Sequence, residues 1–340
     1  MDLEIEHVDE SRAVDWYDVG AAAHGVDEPD LLEDPVEEIR AQMPDGSPSW
    51  RMEFHIGYVD RTPVVRGRLA LPTRDNHQLA DLRIQVVPEF RRRGHGRAMF
   101  QHLRARSVAR GRSILIGEVC APLEGDSPGR EFAESLGVEH GLTSIRRILD
   151  LRHLDLAVLE GLEVEARKRA TGYELAQWGD HAPEDLVDDF ATLVARMVTD
   201  SPMGELKVGE EMWDRNRIRE MEDATFRWGR SRFAAGARAV GTGQLVAITE
   251  LGVSRFQPEI AYQWDTIVAP EHRGHRLGFL VKAANLRQLM AAMPSTSRVA
   301  TWNAESNTFM VEVNERLGFR AVDRREEWQL TVEDTSSATG

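Results

Sequence analysis

Val87-Pro88-Glu89-Phe90-Arg91-Arg92-Arg93-Gly94-His95-Gly96-Arg97 has a counterpart 182 residues further on, in Ala269-Pro270-Glu271-His272-Arg273-Gly274-His275-Arg276-Leu277-Gly278. Both contain Pro-Glu-x-Arg and a glycine-bearing turn, with an apolar strand pattern before it and a helical pattern after it. Two more landmarks repeat in the same order. Leu136-Gly137-Val138 matches Leu317-Gly318-Phe319 at an offset of 181. The strand-like Ser144-Ile145-Arg146-Arg147-Ile148-Leu149 matches Glu327-Trp328-Gln329-Leu330-Thr331-Val332. Spacing this constant makes the chain two copies of one domain, not a short-period array. Its 340 residues leave room for about 150 in each copy.

Working outward, the first copy predicts strands over 3–8, 52–59, 64–71, 79–87 and 113–119, with helices over 11–23 and 96–111. The second predicts strands over 172–177, 232–240, 244–251, 259–268 and 298–303, with helices over 183–198 and 278–292. A short helix and a final strand close each copy. Pro183 and the acidic Glu184-Asp185 mark a helix start. Leu154 to Arg169, rich in leucine and charge, predicts a connecting helix. The expected domains are therefore 1–152 and 171–333, joined by a helix over 153–170, with a small, polar, disordered tail over 334–340. Hairpin-linked strands followed by a strand–loop–helix unit imply an α/β fold with its ligand site at that loop.

Composition excludes several classes. The single cysteine, Cys120, rules out a disulfide framework and a cysteine zinc cluster, and reads as a small buried apolar group. No apolar run reaches the roughly 18 residues of a membrane span. The acidic opening Met1-Asp2-Leu3-Glu4 is no signal peptide, so the expected compartment is cytoplasmic. A net charge of −15 argues against nucleic acid or a membrane surface as partner. Locally the balance reverses. Residues 89–112 hold eight arginines against one Glu, and 271–298 hold five Lys/Arg against one Glu. Two basic islands suggest two small anionic ligands. No Gly-x-x-x-x-Gly-Lys-[Ser/Thr] occurs, which leaves a phosphate-loop nucleotide enzyme poorly supported.

The loop itself has a physical logic. Pro88 ends the strand ladder because it has no N–H. Gly94 and Gly96 permit a tight turn and a close approach by a ligand. The first-turn amides of the following helix, with the positive end of its dipole behind them, then face an anion.

Arg91-x-x-Gly94-x-Gly96 after Val-x-Pro resembles the acetyl-CoA diphosphate loop of the GNAT superfamily of N-acetyltransferases, and Arg273-Gly274-His275-Arg276-Leu277-Gly278 is similar. In the second loop Arg276 replaces the family's first glycine. The tandem arrangement resembles that of mycothiol synthase and related two-domain GNAT proteins. The resemblance implies two tandem GNAT-type domains, each a mixed, mostly antiparallel sheet flanked by helices. It implies acetyl-CoA as cofactor, held in the first copy by Ile84, Gln85, Val86, Arg91, Arg92, Arg93, Gly94, His95, Gly96 and Arg97. In the second copy it implies Thr266, Ile267, Val268, Arg273, Gly274, His275, Arg276, Leu277, Gly278 and Phe279, with Asn303 and Asn307 beside the pantetheine arm.

It further implies acetyl transfer to a primary amine of a small molecule by direct attack in a ternary complex, with no metal, on a monomer or homodimer. Backbone amides near Ile267 and Val268 would receive the thioester oxygen. Asp265 or Glu250 would be the base. Strand alternation sets Asp265 on the face opposite Trp264 and Thr266. Asn314 stands where the family has a proton-donating Tyr, and the first copy has Ala133 there. The fuller downstream signature favours the second copy as catalytic, although the first has the intact glycine loop. The alternative is a non-catalytic CoA-binding sensor or scaffold.

Overall fold

The computed structural model describes residues 2–44 and 46–332, so the expected tail over 334–340 lies outside the described residues. The chain divides into two compact units. One is Met1–Thr143 with Met203–Gly209 and Arg324–Gly340; the other is Ser144–Pro202 with Glu210–Asp323.

The first unit begins with β1 (Glu4–Val8), α1 (Ala13–Asp27) and α2 (Val36–Gln42), followed by the antiparallel β2 (Trp50–Val59), β3 (Thr62–Pro72) and β4 (Leu79–Val86). Then come α3 (His95–Ala109), the parallel β5 (Ile114–Pro122), α4 (Pro128–Leu136) and β6 (Glu139–Asp150), whose residues from Ser144 on count with the second unit. Opposite faces of β3 carry the two main helices. Gly20 of α1 lies against Arg66, whereas the neighbouring Gly67 lies against Met99 of α3. Ser127 caps α4 by accepting from the Arg130 amide at 3.1 Å, Pro128 opens it, and Gly137 ends it in the left-handed region at φ 71°.

The second unit repeats the plan with α5 (Leu156–Arg169), β7 (Tyr173–Trp178), α6 (Val187–Ala195), α7 (Met197–Asp200) and α8 (Arg215–Arg227). There follow β8 (Arg230–Ala239), β9 (Leu245–Ser254), β10 (Ile260–Val268), α9 (Leu277–Ala292), β11 (Arg298–Ala304), α10 (Thr308–Arg316) and β12 (Arg320–Thr331). Phe190, Ile218, Leu245, Ile248, Val281 and Leu289 form the centre of its core, each essentially inaccessible to solvent. Truncating one such side chain to Ala typically costs about 2–5 kcal/mol.

Each sheet is mixed and mostly antiparallel, and helices flank it. The strand expectations hold within a few residues, while α2, α7 and α8 went unread. The expected connecting helix is α5, which packs on α9 inside the second unit.

The contiguous split at 152 and 171 differs from this division at the last strands. The first unit's sheet runs β1-β2-β3-β4-β5 and is completed by β12, the final strand of the second copy, from Arg324 on. The second unit's sheet runs β6-β11-β10-β9-β8-β7. Its β6, from Ser144 to Asp150, pairs antiparallel with Ala304 to Arg298 of β11. The copies have exchanged their last strands. Within the first unit Arg130 holds Glu326 of the incoming strand at 3.2 Å, and Arg325 engages Glu28.

Candidate active site

Parallel pairing in both units stops short of the strand ends. β4 leaves β5 after Leu82↔Gly117, and β10 leaves β11 after Tyr262↔Ala300. Gln263 to Val268 therefore have a free edge facing the opening, as Arg83 to Val86 do in the first unit. The loop and helix N-terminus follow at the mouth of each opening.

The two loops have the same backbone. Arg91 is followed by left-handed residues at Arg92 (φ 62°) and Gly94 (φ 88°); Arg273 is followed by Gly274 (φ 85°) and Arg276 (φ 57°). Each loop thus has two left-handed positions and fills one with glycine, the other with arginine. Arg276 does take the angles that the missing glycine would have supplied, at a cost of about 1–2 kcal/mol. Gly94 and Arg276 are the N-caps of α3 and α9, and neither offers a side-chain acceptor. The first-turn amides are consequently unsatisfied within each helix and available to an anion. A Cβ on Gly278 would meet Phe309 at 3.7 Å and Val268 at 3.9 Å; one on Gly96 would meet Val86 at 3.5 Å and Phe132 at 3.6 Å. A methyl fits there, whereas a large side chain would fill the cleft.

Side chains of these loops are busier than the sequence implied. Arg91 donates through Nε to the Val86 carbonyl at 3.1 Å and grips Asp27 with two bonds of 2.8 and 2.7 Å. Arg273 repeats this with the Val268 carbonyl at 3.2 Å and Asp200 at 2.8 Å. These arginines hold the loop and are tied to carboxylates. Arg92 pairs with Glu131, Arg97 donates to Ser135, and Arg93 stacks over Phe90. Arg276 pairs with Glu165 at 3.0 Å, and His275 sits against Tyr173. His95 lies near Phe90, with its imidazole held below the usual range by burial and by Arg93. Gln85 accepts from Arg66 at 2.7 Å and belongs to a buried network with Glu33. Ile84, Val86, Thr266 and Val268 are half-buried at the strand ends, and Ile267 is buried. The side chains of Leu277 and Phe279 lie in the core, with Arg316 over the Phe279 ring.

Charge read along the chain also misled. Arg110 ion-pairs with Glu53, Arg287 with Glu163, and Lys282 is buried, which pushes its amine down to about 7. Partners remote in sequence neutralise much of both basic islands. The backbone amides remain as the common anion-directed feature. Cys120 is half-buried and not fully so.

Only the second unit carries a bulge at its opening. Gln263 pairs with Leu251 and Thr266 with Thr249, so Trp264 and Asp265 together oppose Glu250. In the first unit Val65↔Val86 runs to Ala70↔Asp81 without interruption. The bulge overturns half of the expected alternation: Trp264 and Asp265 share the Glu250 face, while Thr266 remains on the face opposite Asp265. Gln263 and Thr266, three residues apart, both bond to Thr249, at 3.0 and 2.8 Å. Gln263 also donates to the Glu250 carbonyl at 2.5 Å, bracing the irregular segment.

On the other face Arg232 joins the acids. It is buried, ion-pairs with Glu250, and lies over the Trp264 ring at 5.3 Å. The Trp264 indole occupies the space above Gly252, where a Cβ would meet it at 2.0 Å. Tyr262 and Trp302 stack at 6.0 Å. Burial, reinforced by the Glu250 charge and opposed by Arg232, pushes the half-buried Asp265 carboxyl up to about 7. Burial raises Glu250 as well, against the pull of Arg232. Sequence reasoning missed Arg232, Asp27 and Asp200; nothing in their local pattern distinguishes them from surface charges.

The downstream signature is structural in part. Asn307 caps α10 by accepting from the Met310 amide at 3.3 Å. Asn314 is fully buried and donates to Asn303 at 2.5 Å, with its own Oδ1 unpartnered. It offers an amide where a hydroxyl acid was sought.

No family model and no curated protein matches the sequence. Solved structures do. A tandem GNAT protein from the clavulanic acid biosynthesis pathway is 26% identical, with a TM-score of 0.81, over 98% of this chain and 100% of that one. A GCN5-related N-acetyltransferase from Sphaerobacter thermophilus is 13% identical, with a TM-score of 0.65, over 98% and 96%. A glucosamine N-acetyltransferase region of a fungal multi-domain β-N-acetylglucosaminidase is 12% identical, with a TM-score of 0.69, over 97% of this chain and 38% of that one. No helix among the described residues is long and apolar enough to cross a membrane.

Proposed function

Because the chain has the tandem GNAT fold, we propose that it is an acetyl-CoA-dependent N-acetyltransferase whose second copy transfers an acetyl group to a primary amine of a small molecule, by direct attack in a ternary complex. The observation that carries this reading is the bulge at Trp264–Asp265, set at the opening beside a glycine-bearing helix N-terminus. The residues present fit the coenzyme. Uncapped amides at Arg276–Gly278 would hold its diphosphate, and Arg273 would keep the loop in place through Val268 and Asp200. When bound, the coenzyme supplies an acyl group activated as a thioester.

Asp265 Oδ would take the proton from the acceptor's ammonium, since a carboxyl poised at about 7 is partly ionised at neutral pH and basic enough to accept it. Glu250, locked to Arg232, acts as a positioning group that keeps Asp265 basic. The free edge of Gln263–Val268 supplies donors for a developing oxyanion from the amides of Thr266 and Val268, while the Ile267 amide, like that of Ala269 with Val246, faces β9. Trp264, Tyr262 and Trp302 wall the acceptor side. A protonated amine is stabilised by these rings and by the acidic pair. Thiol release from acetyl-CoA with a panel of amines tests the reading; absence of release with every amine, in a chain that binds the coenzyme, would favour the scaffold alternative.

A further inference from the structure

A cavity of about 750 Å³ opens in the first unit between the segment after α2, the start of β2 and the last turn of α3. That volume lies within the range of small-molecule sites. Trp50 and Met52 supply apolar lining; Arg51, Arg106, Arg110 and Glu53 supply charged lining. Among the described residues the lining holds more cations than anions. Arg106 and Arg110 each approach one oxygen of the buried Glu53 at 2.6 Å, and Arg51 stands 3.9 Å from it. Three guanidinium groups share one carboxylate. Behind them His55 and His102 touch at 3.1 Å; burial, then His102 and Arg106, pushes His55 down to about 3, and burial with Arg106 lowers His102. Cations at a helix C-terminus commonly complement its dipole. That accounts for Arg106 and Arg110, but not for Arg51 on β2 or for the apolar lining. Arg106 lies eleven residues beyond His95, so about 16 Å of helix separates this cavity from the diphosphate loop.

We propose that the cavity binds an organic anion with an apolar body, its acidic group held by Arg51, Arg106 and Arg110 and its body laid against Trp50 and Met52. The site is independent of the acyl-transfer reading. The full chain is titrated with 8-anilinonaphthalene-1-sulfonate, followed by fluorescence. One saturable site is expected, unmoved by saturating CoA, with the uncharged analogue N-phenyl-1-naphthylamine about tenfold weaker. Arg51→Gln, at a side chain 61% exposed, weakens the probe by about threefold or more while the thermal unfolding midpoint stays within a few degrees of the parent. Glu53→Gln frees two guanidinium groups and tightens it. Displacement by CoA, equal affinity for the uncharged analogue, or indifference to Arg51→Gln overturns the proposal.

Discussion

Five residues before its loop proline the second copy has Asp265, lying across from Glu250; at the same place the first copy has Arg83, directly across from Arg68. Two like charges on adjacent strands repel in both cases. The resolutions differ. In the second copy Arg232 compensates Glu250, and Asp265 is left with a raised affinity for a proton. In the first copy Asp81 takes Arg68 at 2.7 Å, and Glu118 adds its charge beside Arg83. There the acid with a raised pKa is Glu327, on the exchanged strand, pushed up to about 7 by burial and by Glu118. The first copy is also unbulged and parts from its parallel neighbour closer to the loop. A duplicated loop therefore survives in two different electrostatic settings: a bulged strand carrying Asp265 in the second copy, and in the first an unbroken ladder carrying Arg83, with Glu327 of the exchanged strand as the carboxyl of raised pKa. Loop similarity alone is a poor guide to which copy works.

The comparison breaks most visibly at the cleft glycines. Gly278→Trp is expected to reduce turnover to background by filling the coenzyme cleft, whereas Gly96→Trp leaves turnover intact and removes only coenzyme binding to the first copy, if present. Steady-state thiol release distinguishes them, and the reverse pattern would transfer catalysis to the first copy. Next in size, Asp265→Asn should lower kcat/KM by about 10²–10⁴, while Arg83→Asn changes it little.

A pH profile sharpens the same contrast. The base must be ionised, so kcat/KM should be full above about 7 and fall below it as Asp265 is protonated. Glu250→Gln removes a neighbouring negative charge and leaves Arg232 unopposed, so this limb should move to lower pH. An unshifted limb would mean that another group sets it. The smallest effect is expected at the left-handed arginines. Arg276→Gly and Arg92→Gly each relieve strain and lose an ion pair, for a net gain of no more than about 1 kcal/mol by thermal unfolding.

Much of this was legible along the chain. Pro88 and Pro270, Gly94 and Gly278, and the Leu-Gly pairs located both loops and both closing helices, because strand period, proline and glycine act on the local backbone. What the loop arginines do was not legible. Asp27 and Asp200 are 64 and 73 residues from the arginines they hold, and no spacing rule announces them. The bulge was equally hidden, since Gln263-Trp264-Asp265-Thr266 alternates acceptably as a plain strand. Asn307 was found as a motif, and its role as a helix cap, which its residue type serves well, was not read from it.

The sequence by itself determined that one α/β domain occurs twice, in which order its strands come, and where the anion-directed turns fall. These follow from periodicity and backbone preference, which each short segment contains within itself. Only the tertiary structure decided which last strand completes which sheet and where the acid pair forms. Two copies of one pattern offer two equivalent edges, at β5 and β11, and local propensity cannot choose between them. The choice depends on contacts such as Arg130 with Glu326, whose partners lie 196 residues apart.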